Sequence, residues 1–220
     1  MLRDHILGYY GYWVILTYLG VISAIVGIDF AISGNIKYAV ICLMVSGLCD
    51  MFDGPLARLA KRTDREKFFG IQIDSLADII AFGVFPAAIG YAVCSDYMVW
   101  VFGSLGMVIT FAIMSVYLLA ALIRLAYFNV IETELQTKSM KRTYYEGLPV
   151  TSVALILPII YSICLYFDIY LPPVYSISLI IISIAFLLKV KIPKLRMRYL
   201  IGFCFVGLPF VLYVFLSNGM

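Results

Sequence analysis

Asp50, Asp53, Asp74 and Asp78 are four carboxylates set in two long apolar runs, which a short basic hairpin joins in the stretch DMFDGPLARLAKRTDREKFFGIQIDSLAD. Read as helices, the runs place Asp50, Asp53, Gly54 and Ala57 at i, i+3, i+4 and i+7 on one face, and Gly70, Asp74 and Asp78 at i, i+4 and i+8 on another. At about 1.5 Å per residue, Asp50 and Asp53 lie about 12 and 8 Å inward of Arg58, and Asp74 and Asp78 about 10 and 16 Å inward of Lys67. The hairpin can therefore bring four acids together at similar depth. A carboxylate deep in a bilayer costs about 2.5–3.5 kcal/mol, so four cost about 10 kcal/mol before their mutual repulsion is counted. Divalent cations remove both penalties, and hard carboxylate oxygens suit magnesium or manganese. Gly54 and Ala57, with little or no side chain, leave room for a ligand beside the acids. The blander role for each Asp is a helix cap or an isolated structural polar group; acids inside a membrane are functional by default.

The elements that position these acids follow from composition. The chain has 220 residues, 64% of them hydrophobic, and a mean hydropathy of +1.02. Those values imply an all-α fold: a polytopic integral membrane helix bundle of about seven transmembrane helices, forming a single domain over residues 1–220. Apolar runs place the spans at roughly 12–32, 36–57, 68–94, 98–126, 148–167, 172–189 and 199–217. No cleavable signal is evident before the first. Tyr9, Tyr10, Tyr12 and Trp13 read as an interfacial aromatic belt. With the N-terminus and the 58–67 hairpin on the cytoplasmic side, every one of the 16 Lys and Arg but Lys37 falls on that side. Asp29, Asp96 and Asp168 then mark the outer loops, and 128–147 is a cytoplasmic loop. The run from Lys189 to Arg198 orients the chain and could also meet anionic headgroups. The net charge of +3 is a matter of topology and gives no nucleic-acid signal. The five cysteines lie in apolar segments without metal-ligand spacing, and the one histidine, His5, precedes the first span, so a zinc site or a Ser-His-Asp triad is not expected. Pro55 deprives the Met51 carbonyl of its helical partner, and Pro86 reads in the same way.

The pattern Asp50-x-x-Asp53-Gly54-x-x-Ala57-Arg58, then Gly70-x-x-x-Asp74-x-x-x-Asp78, resembles the signature of the CDP-alcohol phosphotransferases, with all its fixed residues in order. The resemblance implies an integral membrane enzyme with a six-helix core, here plus one helix, that joins an alcohol to the phosphatidyl group of a CDP-lipid. It implies two Mg2+ or Mn2+ ions, one held by Asp50, Asp53 and Asp74 and one shared among Asp53, Asp74 and Asp78, with Asp78 as general base. It assigns Gly54, Ala57, Arg58 and Gly70, with Thr63 and Lys67 of the hairpin, to the CDP-lipid. The segment from Leu59 to Phe69 is longer than the family usually has, and the extra turn is expected to lengthen the hairpin outside the membrane.

A second resemblance concerns the acceptor. Asp74-Ser75-Leu76-Ala77-Asp78 followed by Phe82-Gly83 and Pro86-Ala87, then Arg124-Leu125-Ala126-Tyr127-Phe128-Asn129-Val130 and Gly147-Leu148-Pro149, looks like the phosphatidylserine synthase branch, with Tyr127 where that branch often has Arg. It implies CDP-diacylglycerol and L-serine as substrates, with Arg124, Asn129 and Ser75 as acceptor-binding residues. It also implies membrane lipids as partners, a homodimer, and an active site facing the cytoplasm of a prokaryotic cell membrane. Inositol, inositol phosphate or glycerol phosphate remain alternative acceptors, and for a phosphorylated one Lys138, Lys141 and Arg142 could supply charge. A divalent-metal transporter is the alternative from another class.

Overall fold

The computed structural model describes residues 7–137 and 144–193. Among these residues seven α-helices follow one another: α1 (Ile15–Ile32), α2 (Ile36–Leu59), α3 (Asp64–Asp78), α4 (Phe85–Phe102), α5 (Leu105–Thr137), α6 (Val153–Tyr166) and α7 (Leu171–Leu187). A π-helical turn, Ile79–Val84, joins α3 to α4 without a break in the helix axis. Four helical runs, Tyr12–Ile32, Ile36–Leu59, Asp64–Phe102 and Leu105–Ile131, are long and apolar enough to cross a membrane, and α6 and α7 are shorter apolar helices. This is a polytopic membrane helix bundle, as composition demanded. The expected span at 199–217 lies outside the described residues. Two three-residue strands, β1 (Tyr144–Glu146) and β2 (Lys191–Pro193), add a small antiparallel pair that places Tyr144 opposite Pro193.

Small residues set the packing. Gly20, Ala24, Gly27 and Ala31 form a buried stripe along α1, and α2 lies close against that helix. Without an aqueous driving force between helices, such close backbone approach is what membrane helices trade on. The main core runs through α4, α5 and α7, where Phe82, Phe85, Ile89, Tyr117, Tyr175 and Leu179 are fully buried.

Several expected boundaries move. Asp96 was expected to mark an outer loop between spans 68–94 and 98–126, but it is an exposed residue inside α4. The turn comes at Gly103, whose φ of 60° suits a residue without a side chain, and α5 starts two residues later. An exposed charge on a helix does not end it. Asp168, with φ of 52°, does lie in a turn, between α6 and α7. Most of the 58–67 hairpin is helical. Only residues 60–63 separate α2 from α3, because Thr63 and Glu66 form a capping box that starts α3 at Asp64. The loop expected at 128–147 is helical as far as Thr137: α5 has 33 residues, about 50 Å of helix and more than the hydrocarbon core needs. Pro55 sits inside α2 without ending it.

The aromatic belt also divides. Tyr10 and Tyr12 are exposed, but Trp13 is only 6% exposed and packs edge-on against Phe69 of α3, beside Tyr9 on the same ring. These contacts tie the N-terminal segment to α3.

Candidate active site

The acids converge as their spacing requires. One carboxylate oxygen from each of Asp50, Asp74 and Asp78 lies within 4.8 Å of the others. Asp50 is within side-chain hydrogen-bond reach of Asp78, and Asp53 of Asp74. Bare anions do not settle at such range inside apolar helices; a proton or cation between them is required. Asp53 is 9% exposed and accepts a hydrogen bond from the Thr17 hydroxyl of α1 at 3.3 Å. The closest triple is therefore Asp50, Asp74 and Asp78, whereas the resemblance groups Asp50, Asp53 and Asp74 on one ion.

A cavity of about 10 Å3 lies among these acids, bounded by Thr17 and Gly20 of α1, Ser46 of α2, and Phe82 of the π turn. That is about the space a single water-sized occupant needs. Clustered carboxylate oxygens around a space of that size fit a hard divalent cation. Along their backbones α2 and α3 barely touch. The acids meet across a gap between them, and α1 forms one wall of it.

The residues assigned to the CDP-lipid separate into two groups. Arg58, exposed in the last turn of α2, reaches back over Gly54, and its Nη2 would lie 3.8 Å from a Cβ placed there. Gly54 is otherwise open, with Ala57 half-buried one turn on. This places a guanidinium and a clear backbone surface beside the acids. Gly70 is covered instead: a Cβ there would come within 3.1 Å of the Trp13 ring and 3.2 Å of Arg62 Nη1. Arg62 itself lies over the Trp13 ring, 5.2 Å from its centroid. Thr63 spends its side chain on the α3 cap, accepting from the Glu66 N–H at 3.3 Å. Lys67 is exposed and paired with Asp64 at 2.9 Å.

The three acceptor candidates are held by other parts of the protein. Ser75 Oγ donates to Asn129 Oδ1 at 2.9 Å, linking α3 to α5. Arg124 is 5% exposed, and its Nε and Nη2 donate to the carbonyls of Leu148 and Gly147 at 3.1 and 3.3 Å. It also borders a separate cavity of about 110 Å3 with Tyr127 and Lys189.

Sequence reasoning missed Thr17, which was one hydroxyl in a long apolar run. Its position one turn before Gly20 on the small-residue face of α1 was the available signal. It also missed the covering of Gly70 by Trp13 and Arg62, which depends on tertiary packing.

The family model described as CDP-alcohol phosphatidyltransferase matches residues 14–193. The chain is 40% identical over 123 residues to a CDP-diacylglycerol–serine O-phosphatidyltransferase of Saccharomyces cerevisiae, covering 53% of this chain and 39% of the yeast protein. It is 34% identical over 139 residues to one of Helicobacter pylori, covering 63% and 50%. To an archaetidylserine synthase of Methanothermobacter thermautotrophicus it is 32% identical over 117 residues, covering 53% and 46%. The matched region spans half or less of the length of each of these relatives.

Proposed function

The chain belongs to the CDP-alcohol phosphatidyltransferase family, and from that premise we propose that it is an enzyme that transfers the phosphatidyl group of CDP-diacylglycerol to L-serine, releasing CMP. The observation that carries this reading is the convergence of the Asp50, Asp74 and Asp78 oxygens within 4.8 Å, inside apolar helices and beside Arg58 and Gly54. The names of the similar proteins supply the substrates.

Asp50, Asp53, Asp74 and Asp78 are the residues that would hold Mg2+ or Mn2+. Two such ions would offset the diphosphate's charge and polarise its phosphorus. Arg58 offers the planar fork of donors that suits a phosphate, at the cytoplasmic end of α2. Gly54 and Ala57 leave the nucleotide a clear approach. Asp78 takes the proton from the serine hydroxyl. The serine oxygen bonds to the lipid-side phosphorus, the bond from that phosphorus to the bridging oxygen breaks, and CMP leaves with the electron pair. Ser75 and Asn129, linked across α3 and α5, would border the acceptor. The whole chain acts as one domain, with its site open to the cytoplasm of a prokaryotic cell membrane as the Lys and Arg distribution favours, and as a homodimer in line with its family.

The test is CMP release and thin-layer product analysis with purified chain, CDP-diacylglycerol and a panel of labelled alcohols. Serine should be converted, and inositol, inositol phosphate and glycerol 3-phosphate should not. Preference for another alcohol would refute serine and leave the enzyme class standing. Metal passage without CMP release would refute the class.

A further inference from the structure

Pro86 has no N–H to give the carbonyl four residues earlier, that of Phe82. An α-helix running through this point lacks one of its hydrogen bonds. The chain widens there into the π turn Ile79–Val84, which closes with the Phe85 N–H on the Ile80 carbonyl. Such turns are rare and collect at functional sites. Tyr117 of α5, fully buried, donates its hydroxyl to the Phe82 carbonyl at 2.6 Å. Tyr175 of α7 donates to the Pro86 carbonyl at 3.1 Å. Two buried phenols from two other helices are thus spent on the backbone of one short stretch. Gly83 within it has no spare room: a Cβ would come 2.7 Å from Ile79 Cδ1 and 3.0 Å from Leu118 Cδ1. The turn begins at the residue after Asp78, and Asp78 and Phe82 border the same small cavity.

We propose that Tyr117 is a positioning residue for Asp78. By satisfying the Phe82 carbonyl it holds the π turn open, and the open turn sets the angle at which Asp78 joins Asp50 and Asp74. Without the hydroxyl the buried Phe82 carbonyl lacks that donor, Pro86 offers none in its place, and the turn shifts to find another partner. A shift of the turn displaces Asp78, the residue next to it, more than Asp74, which lies a helical turn further back on α3, while Asp50 and Asp53 on α2 keep their places. The inference rests on the reading of Asp78 as the group that acts on the acceptor.

A double-mutant cycle on the purified full chain tests it, joining Tyr117→Phe to Asp78→Asn. The readouts are kcat and KM for CMP release, and Mn2+ affinity by electron paramagnetic resonance. Tyr117→Phe should lower kcat by about tenfold or more, with KM for CDP-diacylglycerol little changed. It should weaken Mn2+ binding as Asp78→Asn does, and it should cost nothing further in the Asp78→Asn background. Equal losses in both backgrounds would overturn the proposal, because a tyrosine that only supports the fold costs the same with or without the Asp78 carboxylate. Gly83→Ala crowds the same turn from its other side and must show the same non-additivity, so it decides the matter if Tyr117→Phe does not fold. If the unaltered chain binds Mn2+ but releases no CMP, the transferase reading fails, and the Mn2+ cycle still decides the role of Tyr117.

Discussion

At the α2–α3 hairpin, four acids face one another across a gap, and the Thr17 hydroxyl of α1 donates to one of them, Asp53. On α5, by contrast, Arg124 is engaged with two main-chain carbonyls and Asn129 with Ser75 of α3. The first region concentrates like charge at close range inside apolar helices. The second spends its charge and amide groups on joining α5 to its neighbours. Inside a membrane protein, a polar group that finds internal partners can serve structure, whereas a cluster of like charge calls for a ligand.

The largest expected effects lie at the acids. Asp50→Asn removes an oxygen from the close triple and should abolish activity together with metal and donor binding. Asp78→Asn keeps the shape and a weak oxygen ligand but cannot take the serine proton. It should lose at least about a hundredfold in kcat while CDP still binds. Calorimetric titration of CDP beside a turnover assay separates the two. If Asp78→Asn loses CDP as fully as Asp50→Asn does, Asp78 is chiefly a ligand and the proposed division of roles is wrong.

A smaller effect is expected at α5, and it should register in stability. Arg124→Gln removes charged hydrogen bonds to Leu148 and Gly147 in a buried setting, at a cost of about 1.5–3 kcal/mol. Thermal unfolding of the detergent-solubilised protein should show a lowered midpoint. An unchanged midpoint with a large rise in KM for serine would move Arg124 from the structural region to the acceptor site. The smallest effect is at Ser75→Ala, which breaks one neutral hydrogen bond to Asn129 and should cost about 0.5–1.5 kcal/mol. A serine KM raised without loss of stability would show that this pair meets the acceptor directly.

The hairpin was legible because its determinants are local. Helical spacing alone puts Asp50 with Asp53, and Asp74 with Asp78, and the burial cost of a carboxylate says what must accompany them. The membrane-bundle fold was legible for a similar reason, since apolar run length reports directly on span. Boundaries failed where charge stood in for geometry. Asp96 looked like a loop, but the turn needed the positive φ that Gly103 provides. Between Arg58 and Gly70, the Thr63–Glu66 capping box starts α3 at Asp64 and makes most of the hairpin helical. Trp13 looked interfacial because nothing in its own neighbourhood announces Phe69. The π turn was hidden as well: Pro86 gave notice of a missing N–H, but not of the hydroxyl of Tyr117 that answers it.

The central claim is that the four acids work by holding divalent metal for phosphatidyl transfer. CMP release from CDP-diacylglycerol and serine, measured with purified chain in chelated buffer and again after adding back Mg2+ or Mn2+, tests it most directly. The account predicts no release in EDTA and recovery with either ion. Full turnover in thoroughly chelated buffer would contradict it.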